Sequence, residues 1–377
     1  MARIDGKIIG ESTGMFVGKF LPFHRGHLFA ILQASTKVDK LYVVISQDRK
    51  MMKERCVSHN IKEMPLELIT QWLNIEFQAF PHIIIVPVDE TGTDPYPHGW
   101  VDWARLTRVA LIKAGVLQRG HAPQAVAPDA VDVDYMFGSE NDYDAMIRQL
   151  FNYAIEYVKI DVKREYVDIS ATRMVEDIYK NWEMLPGVVR PHFVKKVLIT
   201  GTESCGKTTL TQMLGKNYLT SWSTEIGKDY EKEKLGGYSD NWNVIDFDKI
   251  AMLQLEQDDH AYRTANKVSF IDTDAIVTGY YLNMYLGERS ELIEVLSKKE
   301  MDKWDLVVLL QPTVPWVQDG TRWEENKEDK KRWILHKQLK RKYDDLGIKY
   351  IEIGGDYHHR FNEVIKLVEN MLKAVEK

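Results

Sequence analysis

The sequence predicts an α/β protein built from two doubly wound parallel-sheet domains. Three observations predict it. Short apolar, β-branched runs alternate with amphipathic stretches of helical length along the chain, the pattern of strands covered by helices on both faces. In each half one such run passes directly into a glycine-containing turn that opens a helix: Met15-Phe16-Val17 into residues 18–27, and residues 196–200 into residues 201–208. Between the halves, residues 182–193 contain Leu185-Pro186-Gly187 and Arg190-Pro191, breakers placed where a linker belongs. The boundary falls near residue 188, giving domains 1–187 and 188–377.

The bulk numbers support that division and exclude several classes. A chain of 377 residues that is 44% hydrophobic can fill two cores. Its net charge of −6 comes from 50 basic and 56 acidic residues mixed throughout, so no field for a polyanion arises and nucleic acid is not an expected partner. The two cysteines, Cys56 and Cys205, are far apart and lack metal spacing, which excludes a disulfide framework and fits a reducing interior. No apolar leader opens the chain and no run reaches membrane-spanning length, so the expectation is a cytoplasmic protein without membrane insertion. A homo-oligomer is neither required nor excluded.

Taken in order, Met15-Phe16-Val17 is the first strand and residues 28–37 form a helix, followed by a strand over 41–45. Proline is favoured at a first helical position, so Pro65 opens a helix over 65–77, and 82–88 is the next strand. Gly18 ends the first strand, and His24 and His27 sit three apart at the helix start, where both rings can lie on one side of the entry turn. With free helix N–H groups and Lys19 they make a compact phosphate pocket. A structural role for the two histidines competes with that reading. Gly18, Lys19, Phe20, Pro22 and Gly26 in the same ten residues favour phosphate; a metal site lacks a third ligand. Further on, Ser170 and Thr172 precede a helical stretch over 173–180. That places two hydroxyls and the Arg173 guanidinium at a second helix N-terminus.

In the second half, Gly201, Thr202, Glu203, Ser204, Cys205, Gly206, Lys207 and Thr208 fit the phosphate-loop pattern G-x-x-x-x-G-K-[ST], with Thr209 next. The glycines let backbone N–H groups face phosphate oxygens, Lys207 reaches the β- and γ-phosphates, and the Thr208 hydroxyl binds Mg²⁺. Cys205 reads as a small residue the loop tolerates. The run 268–274 is a buried strand ending in acid, so Asp272 takes the Mg²⁺-shell position. Glu225 follows the expected second strand, where a carboxylate can orient a substrate hydroxyl; a solvated surface acid is the alternative. Residues 305–310 are a further strand, 322–332 a charged mobile lid with Lys330, Lys331 and Arg332 on a solvated helix face, 349–353 a late strand, and 358–375 a closing helix.

The motif at 18–27, G-K-F-x-P-x-H-x-G-H, resembles the signature of nicotinamide-mononucleotide (NMN) adenylyltransferases. The resemblance continues through Pro95-Tyr96-Pro97-His98-Gly99-Trp100, Phe137-Gly138-Ser139-Glu140 and Ile169-Ser170-Ala171-Thr172. It extends to residues 222–230 and to Trp316-Val317-Gln318-Asp319-Gly320-Thr321-Arg322, similar to segments of the NadR-type bifunctional adenylyltransferase/ribosylnicotinamide kinases. Three positions depart from the family pattern: His98 for Asn, Gly138 for Ser, and Val175 for the Arg of I-S-x-T-x-x-R, which leaves Arg173 as the nearby cation.

The resemblance implies an N-terminal Rossmann-like nucleotidyltransferase and a C-terminal P-loop kinase. The kinase would phosphorylate nicotinamide riboside with ATP and Mg²⁺, and the first domain would adenylylate the resulting NMN to NAD. It assigns Lys19, His24, His27 and Arg173 to charge stabilisation in the first site, with Trp100 or Trp103 stacking on the nicotinamide ring or packing in the core. In the second site it assigns Lys207, Glu225, Asp272 and Arg322. Two other readings stand beside it: a nucleotide sensor with one inactive domain, and a fusion of the same enzyme classes with other substrates. Repressor members of the family carry a DNA-binding helix-turn-helix before the first domain. Here only about a dozen residues precede the first strand, too few for one.

Overall fold

The computed structural model describes residues 12–94, 98–116, 133–138, 155–234, 242–317 and 327–373, with the backbone of 3–4 and 7–8. The chain separates into two compact units, Met1–Val189 with the last four residues, and Arg190–Lys373. Each is built on its own five-stranded parallel sheet, so both doubly wound domains of the expected α/β class are present. No described helix is long and apolar enough to cross a membrane.

In the first unit an antiparallel pair, β1 (Arg3–Ile4) and β2 (Lys7–Ile8), precedes the sheet. The sheet then takes β3 (Thr13–Gly18), β4 (Lys40–Gln47), β5 (Ile83–Asp89), β6 (Tyr135–Gly138) and β7 (Glu156–Lys159) in the spatial order β5-β4-β3-β6-β7. β4 is an apolar run without alternation, buried from Leu41 to Gln47, as a strand covered on both faces requires. Pro87 is tolerated because β5 is an edge strand. Strand order reverses between β3 and β6, and a crevice at the carboxyl ends of such a pair is where open α/β sheets bind ligands. Gly18 is the last residue of β3.

The second sheet runs β12-β11-β8-β10-β9, where β8 is Lys195–Thr200, β9 Trp222–Ser223, β10 Val268–Asp272, β11 Leu306–Leu310 and β12 Ile351–Ile353. Successive β8 residues point to opposite faces. Val197 and Ile199 join a core with Leu210 and Val364, whereas Leu198 joins one with Tyr280 and Leu339. Register pairs Asp272 with Ile199 and Leu309 with Thr200. The carboxyl ends of three strands thus meet where the loop 201–206 begins.

Several expected boundaries shift for physical reasons. Pro65 is the extended cap before the helix Leu66–Glu76. The second strand of the second unit is Trp222–Ser223 itself; two residues are too short for periodicity to register. The helix expected over 173–180 is Ala171–Glu176 with Ser170 as its cap, and the closing helix is Tyr357–Leu372, capped by Asp356. The helix Arg49–Ser58, capped by Asp48, was not foreseen; it carries little apolar stripe.

Candidate functional site

The phosphate loop begins where β8 stops. Gly201 and Gly206 both have positive φ, 149° and 88°. A Cβ on Gly201 would stand 3.0 Å from the Leu310 carbonyl oxygen, and one on Gly206 would stand 2.9 Å from the Tyr357 ring. Both positions therefore require glycine twice over, for conformation and for space. Lys207, the first residue of the helix Lys207–Asn217, is buried, its Nζ 3.2 Å from the Thr202 carbonyl oxygen and 3.6 Å from Glu225. Thr208 Oγ1 donates to Asp272 Oδ2 at 2.5 Å. Burial pushes the Asp272 carboxyl up, against the Lys207 charge. Asp274, two residues on, caps the helix Ala275–Leu286 and accepts from the Tyr343 hydroxyl, so its carboxylate is committed to structure.

What fixes the loop is a pair of guanidiniums beneath it. Arg332 donates to Ser204 O at 3.2 Å and to Val314 O at 2.8 Å. Arg360, fully buried, donates to Cys205 O, to Gln311 O at 2.7 Å and to Thr313 Oγ1 at 2.8 Å. Arg332 corrects the expectation of a solvated helix face: it lies on the inner side of the helix Asp329–Asp345 and is 4% exposed. Cys205 is packed in the loop, its thiol donating to Thr202 O at 2.9 Å and pushed up by burial. Thr202 is buried, Ser204 Oγ accepts from Val317 N, and Thr209 is exposed on the cavity wall.

That wall belongs to a cavity of about 680 Å³ running from the loop to an aromatic face made of Trp242, Phe247, Tyr281 and Tyr285. Glu203, Glu225 and Glu231 add carboxylates to its lining. The Tyr281 hydroxyl accepts from Glu203 N at 2.8 Å, joining the aromatic face to the phosphate loop. Glu225 is thus at the site rather than a detached surface acid. Arg322 lies outside the described residues, as do Tyr96, Ser139 and Glu140.

In the first unit, His24 is the cap of the helix Arg25–Ser35, its Nδ1 accepting from His27 N at 3.3 Å. The two imidazoles stack with centroids 3.6 Å apart, and His27 stands edge-on to Phe20 at 4.9 Å. Phe20 itself is buried, with φ 51°. His24 Nε2 and His27 Nδ1 are buried without a hydrogen-bond partner. Burial first, then the Arg164 charge, lowers His24 to about 3. Burial, His24 and Arg164 hold His27 well below its usual range. Both rings are neutral near pH 7, so the pocket offers ring N–H donors rather than two cations.

The two cations expected beside them make other contacts in this structure. Lys19 is exposed with Nζ 3.2 Å from Met51 Sδ, and Arg173 is bonded to Asp168 Oδ1 at 2.7 Å. Ser170 Oγ accepts from Arg173 N, and Thr172 is exposed. Val175 is 2% exposed, so that position faces the core. Trp100 and Trp103 meet edge to face at 5.2 Å and pack against the core under β4, with Trp103 Nε1 donating to Ser46 Oγ at 2.8 Å. Arg164, Arg360 and the aromatic cavity wall were not singled out from sequence; none carries a local pattern.

Residues 196–360 match the family model described as AAA domain. The chain is 32% identical over 369 residues to the trifunctional NAD biosynthesis/regulator protein NadR of Salmonella typhimurium, covering 96% of this chain and 84% of that one. A NadR protein of the same description from Escherichia coli matches to the same extent. A crystal structure of a NadR protein in complex with NAD and AMP-PNP superposes with TM-score 0.74 at 25% identity, covering 98% of both chains.

Two outcomes test this geometry. Replacing Arg360 by Lys keeps the charge but loses the fork that reaches three acceptors, and the loss of charged hydrogen bonds costs about 1.5–3 kcal/mol each. Denaturant unfolding of Arg360→Lys should show at least that loss together with weaker triphosphate binding; an unchanged midpoint contradicts the strut. Because the histidines are depressed when folded, the unfolded chain takes up their protons first as pH falls below about 6.5, so the fold weakens toward acid by about 1.4 kcal/mol per pH unit per ring. His24→Asn keeps the cap acceptor and should flatten that slope between pH 6 and 4. A slope equal to wild type would refute the assignment.

Proposed function

The chain belongs to the NadR family, and on that premise we propose that it makes NAD from nicotinamide riboside in two steps. The second unit phosphorylates the riboside, and the first adenylylates the product. The observation that carries the kinase reading is the cavity that joins the phosphate loop to the aromatic and acidic wall. Nicotinamide riboside is a pyridinium cation, and flat aromatic faces with nearby carboxylates suit such a ring.

In the kinase site, loop N–H groups and Lys207 hold the triphosphate. Glu225, 3.6 Å from Lys207 and on the cavity wall, accepts the proton of the riboside 5′-hydroxyl. The oxygen bonds to the γ-phosphorus, the β–γ bridge breaks, and ADP leaves. Thr208 and Asp272 supply two hard oxygen donors 2.5 Å apart, and the described residues contain no cluster of three His, Cys, Asp or Glu for a metal. Two protein oxygens fit Mg²⁺, which keeps waters and takes its remaining ligands from phosphate. When bound, the ion would neutralise charge on the β- and γ-oxygens.

In the first unit, an NMN phosphate oxygen attacks the α-phosphorus of ATP and pyrophosphate leaves. The nucleophile is already an anion, so the site needs donors and positioning rather than a base. Neutral His24 and His27, each with an unpartnered buried nitrogen, are suited to donate to phosphate oxygens without being charged themselves.

Lys207→Ala should abolish riboside phosphorylation while leaving adenylylation of supplied NMN intact. His27→Ala should do the reverse, with a loss of about 10²–10³ as for other preorganised donors. Separate assays of the two half-reactions decide it. Loss of both activities in either variant, with the fold intact by circular dichroism, contradicts two independent sites.

A further inference from the structure

We infer that Arg164 is the guanidinium that meets the polyphosphate at the histidine site, the position that sequence reasoning gave to Arg173. The inference rests on the adenylyltransferase reading of the first unit.

Three observations place it there. The segment carrying Arg164 lies against the entry turn of the helix Arg25–Ser35: Tyr166 stacks on Phe29 with centroids 5.3 Å apart, and a Cβ on Gly26 would stand 3.2 Å from Ile169. The segment is a fixed turn, with Asp161 O accepting from Arg164 N and Asp161 Oδ1 from Glu165 N, both at 2.8 Å. Arg164 itself takes φ 54°, a conformation rarely adopted without glycine. Last, its charge bears on both imidazoles, so the guanidinium lies within electrostatic reach of the whole stacked pair.

Within its own segment the charges on either side are paired, and this one is not. Glu165 faces Lys163 at 3.9 Å, Asp168 holds Arg173 at 2.7 Å, and Lys19 points to Met51. Among the described residues Arg164 has no carboxylate partner. Arg164 is an exposed cation near two neutral, buried, unpartnered ring nitrogens, a set of donors with no paired anion among the described residues. His24 is 4% exposed, and its Nε2 has no acceptor. A polyphosphate supplies the missing charge. In adenylyl transfer the α–β bridge bond breaks and its electrons move to the departing pyrophosphate, so a forked cation there stabilises charge that grows during the step.

The test compares wild type, Arg164→Gln, Arg164→Lys and Arg173→Gln, assaying adenylylation with ATP and NMN and, in parallel, riboside phosphorylation. Arg164→Gln should lose about 100-fold in adenylylation kcat/KM, in line with the removal of one preorganised donor, and leave phosphorylation unchanged. Arg164→Lys should recover part of the loss, as a point charge without the fork. Arg173→Gln should lose less than tenfold, because it breaks only the tie to Asp168. An Arg164→Gln enzyme equal to wild type, or a larger loss in Arg173→Gln, overturns the inference. If wild type forms no NAD from NMN, the reading of the first unit fails instead. Inorganic pyrophosphate titrated by ³¹P NMR then decides the cation: a tenfold weakening in Arg164→Gln sustains its role, and no change removes it.

Discussion

The phosphate site of the second unit depends on carbonyl oxygens being held away from it. A loop that turns its N–H groups inward must turn its carbonyls outward, and buried carbonyls need donors. Arg332 takes Ser204 O and Arg360 takes Cys205 O. Each guanidinium is buried and reaches several acceptors through its terminal nitrogens, with only Nε left unpartnered, which is close to the condition under which a buried charge is tolerable. Because Arg360 also holds Gln311 O and Thr313 Oγ1, the loop is tied to the end of β11. Because Arg332 is the last residue of the expected lid and sits on the helix Asp329–Asp345, that end of the lid is a helix tied to the loop rather than a mobile segment.

On the proposed function, the two units would meet phosphate from opposite electrostatic starting points. In the second, a buried lysine is paired with a carboxylate 3.6 Å away, and an incoming triphosphate can take over that lysine. In the first, the imidazoles are kept neutral by burial and by a nearby guanidinium. Neutral donors at a helix start hold an anion without the desolvation cost of two extra cations. Both sites stand at the carboxyl ends of central parallel strands, β8 and β3, because a doubly wound sheet leaves its crevice there.

Much of this was legible before the coordinates. The phosphate loop, the strand before it and the carboxylate of Asp272 are encoded at short range, where glycine spacing and an apolar run carry the information. Glu225 was readable for the same reason, since it follows a strand closely. Arg332 was misread as solvated because a single cation in a run of charges, Lys330-Lys331-Arg332, does not reveal which side of its helix faces inward. Arg360 and the Tyr281 contact to Glu203 N join positions more than seventy residues apart, and no local pattern records them. Around Arg173 the expected helix start shifts by two residues, to Ala171, and Asp168, five residues earlier, bonds the Arg173 guanidinium, a contact the motif does not record.

The measurement that bears most directly on the account is a time course with wild-type protein, ATP, Mg²⁺ and nicotinamide riboside, separating products as they form. The account predicts that NMN rises first and then declines as NAD accumulates with release of ADP and pyrophosphate. Riboside left unconsumed in the presence of ATP and Mg²⁺ would contradict it.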